Sequence, residues 1–173
     1  MCGIVCAFNL KGDNDLIRSN ILKMSQKLRH RGPDWSGIYS SENAILAHER
    51  LAIVDPTSGK QPILSEDGLK VVAVNGEIYN HSQLRQELVA SGVILKWKGY
   101  SDTETLLAGF DAWGIEETVK RAIGMFAFSV WDNSENTLIL GRDRIGEKPL
   151  YYGWQGGTFL FGSELKALKQ HPD

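Results

Sequence analysis

The stretch VNGEIYNHSQL, residues 74–84, decides how the chain is read. Asn-Gly is the commonest short signal for a two-residue turn between antiparallel strands, and the largely apolar stretch 69–74 ahead of it reads as a strand. A hairpin turn at Asn75-Gly76 requires a returning strand, yet EIYNHSQL passes into helical spacing. Leu84 and Leu88 face inward on a helix expected over residues 82–90, and Gly92 stops it. Two readings stay open: a turn, or a strand end where the Asn75 carboxamide and the Gly76 N–H point to one spot as neutral donors. The second is an oxyanion hole in outline.

Toward the N-terminus, residues 63–64 and 69–74 form an expected hairpin around the turn EDG, 66–68, and DPTSGKQP, 55–62, is a loop by its Pro, Gly and Ser content. Strands are expected over 36–40 and 44–54. The chain opens on a strand over 2–10, apolar enough to be covered on both faces. A helix follows with Ile17, Ile21, Met24 and Leu28 on one face, Asp13 or Asp15 as its cap, and Gly32-Pro33 ending it. Toward the C-terminus, a strand is expected over 93–98. SDTE, 101–104, has the pattern of a capping box and opens a helix with the stripe Leu106, Leu107, Phe110 and Trp113, closed by Gly114. A short helix over 116–121 precedes GMFAFSVWD, 124–132, a strand that turns at NSEN into 137–141, with further strands over 150–154 and 158–161. Hairpins dominate and the helices cluster between them. That order predicts an α+β fold of antiparallel sheets packed with helices, without internal repeats.

With 173 residues and 19.3 kDa the chain has the size of one domain, and no linker divides it. Nineteen basic against 21 acidic residues leave a net charge of −2, and the one basic cluster, Arg29-His30-Arg31, is broken by Gly32-Pro33. This excludes a nucleic-acid or anionic-membrane surface as the expectation. With no long apolar run and no signal-peptide pattern at the start, the cytoplasm is the expected compartment.

The first residues, MCGIV, put a thiol directly behind the initiator methionine. Loss of Met1 would leave Cys2 with both a nucleophilic sulfur and an α-amine. That amine's ordinary pKa of about 7.7–8.0 makes it a usable base near neutrality, unlike lysine at about 10.4. The competing reading is a small buried hydrophobe beside a strand. Cys2 and Cys6, about 13 Å apart on an extended strand, are too distant for a disulfide. With His30, His48, His81 and His171 they offer no zinc-ligand spacing, so no metal site is expected.

HERLAIVD, 48–55, VNGEIYN and SDTE place further polar residues beside apolar runs. Singly, Arg50 reads as a surface group, and Asp102, in a first helical turn, as a complement to the helix dipole. Together they form a clamp for a zwitterion: a guanidinium grips an α-carboxylate, while Asp102 and Glu77 receive an α-ammonium. A free amino acid carries both charges.

The ordered stretches MCGIV, RHRGPDWSG, HERLAIVD, QPI, VNGEIYN, SDTE, GMFAF and GRDRIGEKPLYYG resemble, over essentially the whole chain, the glutaminase domain of glutamine-dependent asparagine synthetases. That resemblance implies a class II glutamine amidotransferase: a four-layer αββα sandwich of the N-terminal nucleophile hydrolase type that hydrolyses glutamine to glutamate and ammonia. It implies Cys2 as nucleophile with its α-amine as base, and Asn75 with Gly76 as oxyanion hole. Arg50, Glu77 and Asp102 would hold the amino-acid end of L-glutamine, helped by backbone near Leu51, Ile53 and Val54. No cofactor is implied for this chain; ATP and magnesium belong to the synthetase domain that accepts the ammonia. A homo-oligomer is compatible with the resemblance. Two departures stand out. Cys6 occupies a place where a glycine or other small residue is usual, which implies different packing under the nucleophile. The chain also stops at ELKALKQHPD, where the resemblance continues into the synthetase half, so ammonia release rather than asparagine synthesis is the activity expected of residues 1–173, and a fragment of a longer protein, short even of the domain's last strand, is a reading left open. Two rival readings are the glutaminase of another amidotransferase, of amino-sugar, phosphoribosylamine-forming or sugar-amidating type, and a non-catalytic docking or regulatory module of the same fold.

Overall fold

Side-chain alternation in β1 (Gly3–Phe8) separates two cores. Val5 and Ala7 pack with Ile21, Met24 and Leu28 of α1 (Asn14–Gln26) and the turn after it, whereas Ile4 and Cys6 face the opposite way, toward a second sheet. Coverage on both faces is the reason the strand is apolar almost throughout. The structure, a computed structural model, describes residues 1–93 and 96–172.

One antiparallel sheet has the order β2 (Trp35–Ser40), β3 (Ala44–Arg50), β1, β9 (Thr158–Gly162) and β8 (Tyr151–Gln155). The other runs β4 (Ile63–Leu64), β5 (Lys70–Ile78), β6 (Gly124–Asp132) and β7 (Thr137–Arg142), again antiparallel. Helix α1 and the short α5 (Leu165–Leu168) cover the first sheet; α2 (His81–Ala90), α3 (Asp102–Trp113) and α4 (Ile115–Arg121) lie on the side of the second. Val72, Val74, Phe126 and Phe128 meet Leu84, Leu106 and Phe110 under those helices. Ile4, Cys6, Leu46, Val71, Ala73, Trp131 and Phe161 fill the layer between the sheets. The result is the four-layer αββα sandwich that the resemblance implies.

The expected elements are present with instructive shifts. Asp13, not Asp15, caps α1, its carboxylate accepting the Asp15 and Leu16 N–H groups. Ser101 caps α3 through the Thr103 N–H, but Glu104 does not close the box on the cap residue; it accepts the Lys98 and Gly99 N–H groups instead. Strand β3 ends at Arg50, four residues before the expected limit, because the Arg50 guanidinium turns the chain back by binding the Val54 and Asp55 carbonyls. The strand expected over 93–98 includes 94 and 95, which lie outside the described residues.

The largest correction concerns Asn75-Gly76, which is neither a turn nor a strand end. Strand β5 continues through it to Ile78, with Asn75 opposite Ala127 and Gly76 opposite Phe126. Glycine is needed there for close approach rather than for a turn: a Cβ on Gly76 would lie 2.2 Å from the Met125 carbonyl oxygen. The turn that follows β5 is braced by Asn80, whose carboxamide accepts the Ile123 N–H and donates to the Arg121 carbonyl.

Candidate active site

The layer between the sheets is apolar along most of its length and polar at one end, and strand periodicity accounts for both. Leu46 faces this layer from β3, so His48 and Arg50 do as well; Val71 and Ala73 face it from β5, so Asn75 and Glu77 follow. Register pairs Gly3 with Glu49, which brings Cys2 beside Arg50. All nine residues expected at the site line one pocket there. Cys2, Asn75 and Gly76 share it with Arg50, Leu51, Ile53, Val54, Glu77 and Asp102.

The Cys2 sulfur is held by the chain just past β3, accepting the Leu51 N–H at 3.4 Å and facing the Leu51 carbonyl at 3.7 Å. Arg31 fixes the Cys2 backbone, donating from Nε to the Cys2 carbonyl at 2.9 Å and from Nη1 to Glu164 at the same distance. Burial pushes the Cys2 thiol above its ordinary pKa, against the opposing pull of the Leu51 hydrogen bond, the terminal amine and Arg50. A thiol held protonated in this way needs a base to become a nucleophile.

Asn75 is fully buried, and neither its Nδ2 nor its Oδ1 has a hydrogen-bond partner among the described residues. A buried carboxamide left open costs stability unless something else binds it. Gly76 lies on an exposed strand edge, since β4 covers β5 only at Val71 and Val72. Two residues further on, the same edge is closed by Asp102, whose Oδ2 accepts the Ile78 N–H at 2.9 Å while Oδ1 accepts the Thr103 N–H at 3.0 Å. Asp102 thus serves its own helix and the neighbouring strand as well as lining the pocket. Among the described residues Arg50 uses only Nη2, on the Val54 and Asp55 carbonyls at 3.2 and 2.6 Å, and Nε and Nη1 have no hydrogen-bond partner there.

Three contributors are missed by reading the sequence. Arg31 stands in a cluster that signals only charge, and Gln61 in the QPI stretch signals no role of its own. Lys148, from GRDRIGEKPLYYG, is buried and lines the pocket, its Nζ 2.8 Å from the Met1 sulfur. The turn ahead of it is braced by Asp143, which accepts the Glu147 and Lys148 N–H groups, so the ammonium is delivered from a rigid loop. Spacing alone carries no signal for any of these. Among the described residues no group of three or more His, Cys, Asp or Glu side chains is placed to hold a metal ion, and no helix is long and apolar enough to cross a membrane.

The two-sheet sandwich, with a cysteine at the head of a central strand and a buried, unpartnered carboxamide in the pocket between the sheets, is that of a glutamine amidotransferase domain. Residues 1–173 match the family model described as glutamine amidotransferase domain, and the chain belongs to that family. It is 47% identical over 169 residues to asparagine synthetase [glutamine-hydrolyzing] 3 of Arabidopsis thaliana, covering 97% of this chain and 28% of that protein. With asparagine synthetase B [glutamine-hydrolyzing] of Escherichia coli K12 the identity is 46%, over 97% of this chain and 30% of that protein. The chain therefore spans about 30% of the length of these curated relatives. Among solved structures, the glutamine phosphoribosylpyrophosphate amidotransferase of B. subtilis has the same fold, with a TM-score of 0.80 at 22% identity over 97% of this chain and 43% of that one.

Proposed function

We propose that this chain releases ammonia from L-glutamine through a γ-glutamyl thioester on Cys2, for use by an asparagine-synthetase-type partner domain. The observation that carries the reading is the buried, unpartnered Asn75 carboxamide, lining the same pocket as the Cys2 thiol and Gly76. After removal of Met1 the Cys2 α-amine takes the thiol proton. Sulfur attacks the side-chain carboxamide carbon, and Asn75 Nδ2–H and the Gly76 N–H receive the negative charge on oxygen. The resulting ammonium protonates the departing nitrogen, ammonia leaves, and the thioester forms. Water, its proton taken by the amine, then attacks the thioester; glutamate departs and the thiol is restored. Arg50 holds the substrate α-carboxylate, and Glu77 with Asp102 the α-ammonium. The Leu51, Ile53 and Val54 segment lines the pocket beside them.

The names and lengths of the relatives support a synthetase domain as the acceptor, with ATP and magnesium acting there. Assay of the full-length gene product for asparagine from glutamine, aspartate and ATP tests that step.

Met1 gives the direct test of the glutaminase step. With Met1 in place the nitrogen of Cys2 is an amide, without basicity, and the Met1 side chain lines the pocket. Ammonia release should rise in proportion to the fraction of chains that methionine aminopeptidase has trimmed, and an acid-quenched reaction should show a γ-glutamyl adduct on the Cys2 peptide. Full turnover by a uniformly Met1-bearing sample would exclude the amine as base.

A further inference from the structure

Two polar side chains buried beside the pocket, Gln61 of the QPI stretch and His48, take no part in the chemistry above. Both converge on one residue, Val74. Past Val72 the edge of β5 has no neighbouring strand, and Val74 directs its N–H and C=O toward that open edge. Gln61 Oε1 accepts the Val74 N–H at 2.7 Å, and His48 Nε2 donates to the Val74 carbonyl at 2.9 Å. A carbonyl only accepts, so Nε2 carries the hydrogen. Two side chains thus replace a missing strand: Gln61 holds the peptide that enters Val74, and His48 the one that leaves it, which carries the Asn75 nitrogen.

We infer that Gln61 is a positioning residue for the oxyanion hole, fixing the strand edge at Val74 and tying it to the helix that carries Asp102. The Asn75 carboxamide has no partner of its own, so its placement rests on the backbone that bears it. Gln61 Nε2 donates to Thr103 Oγ1 at 3.2 Å, next to Asp102, which closes the same edge at Ile78. The edge is therefore held two residues before Gly76 and two after it, and the intervening N–H is left for the substrate. Gly37 admits the Gln61 backbone: a Cβ there would fall 1.9 Å from the Gln61 carbonyl oxygen. The inference rests on the reading of Asn75 and Gly76 as the oxyanion hole, and the test separates the two.

In the Met1-trimmed protein, Gln61→Met removes both hydrogen bonds at similar length. It should lower kcat for glutamine about ten- to a hundredfold, the cost of misplacing a reacting group, with KM changed less than about twofold. In an Asn75→Ala background the same substitution should cost less than about threefold, because the donor it positions is already gone. A merely structural role would cost the same in both backgrounds, and that result, or an unchanged kcat in Gln61→Met alone, overturns the inference. An Asn75→Ala variant with unchanged kcat would instead remove the oxyanion reading beneath it. Should Gln61→Met fail to fold, Thr103→Val, which removes only the acceptor for Gln61 Nε2, takes its place: a loss of kcat that shrinks in the Asn75→Ala background supports the inference, and an equal loss in both backgrounds, or none, overturns it.

Discussion

Cys6 sits within the layer between the sheets with no exposed surface, its sulfur 3.6 Å from the Ser129 hydroxyl and its thiol pKa driven far up by burial. Cys2, four residues earlier on the same face, lies where that layer opens, beside Arg50 and the Leu51 backbone. One strand and one residue type serve as core filler in the first place and candidate nucleophile in the second. The difference comes from what the facing strands offer: opposite Cys6 stand Ala73, Leu46 and Phe161, and at the Cys2 end the same faces carry His48, Arg50, Asn75 and Glu77. Core and site are one alternating pattern, continued until polar residues replace apolar ones. The dry part of the layer keeps the sheets together, and the wet end inherits its geometry from them.

Exchanging the sulfurs gives the largest contrast. Cys2→Ala should abolish glutamine hydrolysis with the far-ultraviolet circular dichroism unchanged, while Cys6→Ala should keep turnover within about twofold and lower stability by about 1 kcal/mol from the lost contacts. Loss of turnover in a folded Cys6→Ala protein would break the division between core and site. Next in size, Asn75→Ala should lower kcat about 10²–10³-fold, the usual loss of one oxyanion donor, with little change in KM. A comparable truncation at an apolar position of the layer should have no such selective effect on turnover.

Arg50→Leu should act on binding instead. In the proposed clamp its guanidinium meets a substrate group whose charge is constant through the reaction, so KM for glutamine should rise about tenfold or more while kcat falls less. An unaltered KM would confine Arg50 to holding the Val54 and Asp55 carbonyls.

The smallest expected effect lies at the border between the two regions, at His48. Burial lowers its pKa from the usual 6.5 to about 4, so between those values the unfolded chain binds the proton that the folded chain refuses. Stability contributed by the neutral ring is therefore fully present above about pH 6.5 and is lost as the pH falls toward 4. At about 1.4 kcal/mol per pKa unit this amounts to roughly 2–3 kcal/mol across the window. Urea midpoints of wild type at pH 7 and 4.5 should show that loss, and His48→Gln, which keeps a donor for the Val74 carbonyl, should flatten it. An equal pH dependence in the variant would place the titration elsewhere.

Nearly every element is legible in the sequence because helix and strand periodicities, caps and turn residues are local signals. Asp13, Leu84 with Leu88, and Ser101 are instances. Of the nine residues expected at the site, Arg50, Asn75, Glu77 and Asp102 are legible as polar side chains beside apolar runs, Cys2 by its place behind Met1 and Gly76 by its place behind Asn75, and the others only through the resemblance to a family pattern. Asn75-Gly76 is the ambiguous point: a dipeptide that favours turns when alone is held extended here by pairing with β6, whose residues stand about fifty positions away. Pairing partners and register decide such cases, and local preference is too weak to oppose them. The placements of Arg31, Gln61, His48 and Lys148 belong to the same class, since each depends on groups distant in sequence, among them the Cys2 carbonyl, the Val74 N–H, the Val74 carbonyl and the Met1 sulfur. Residue type and spacing thus settle which side chains are able to do the chemistry and which faces they share. That those faces meet at one end of one layer is settled by packing, because hydrogen-bond direction and strand register are properties of the assembled sheets rather than of any segment within them.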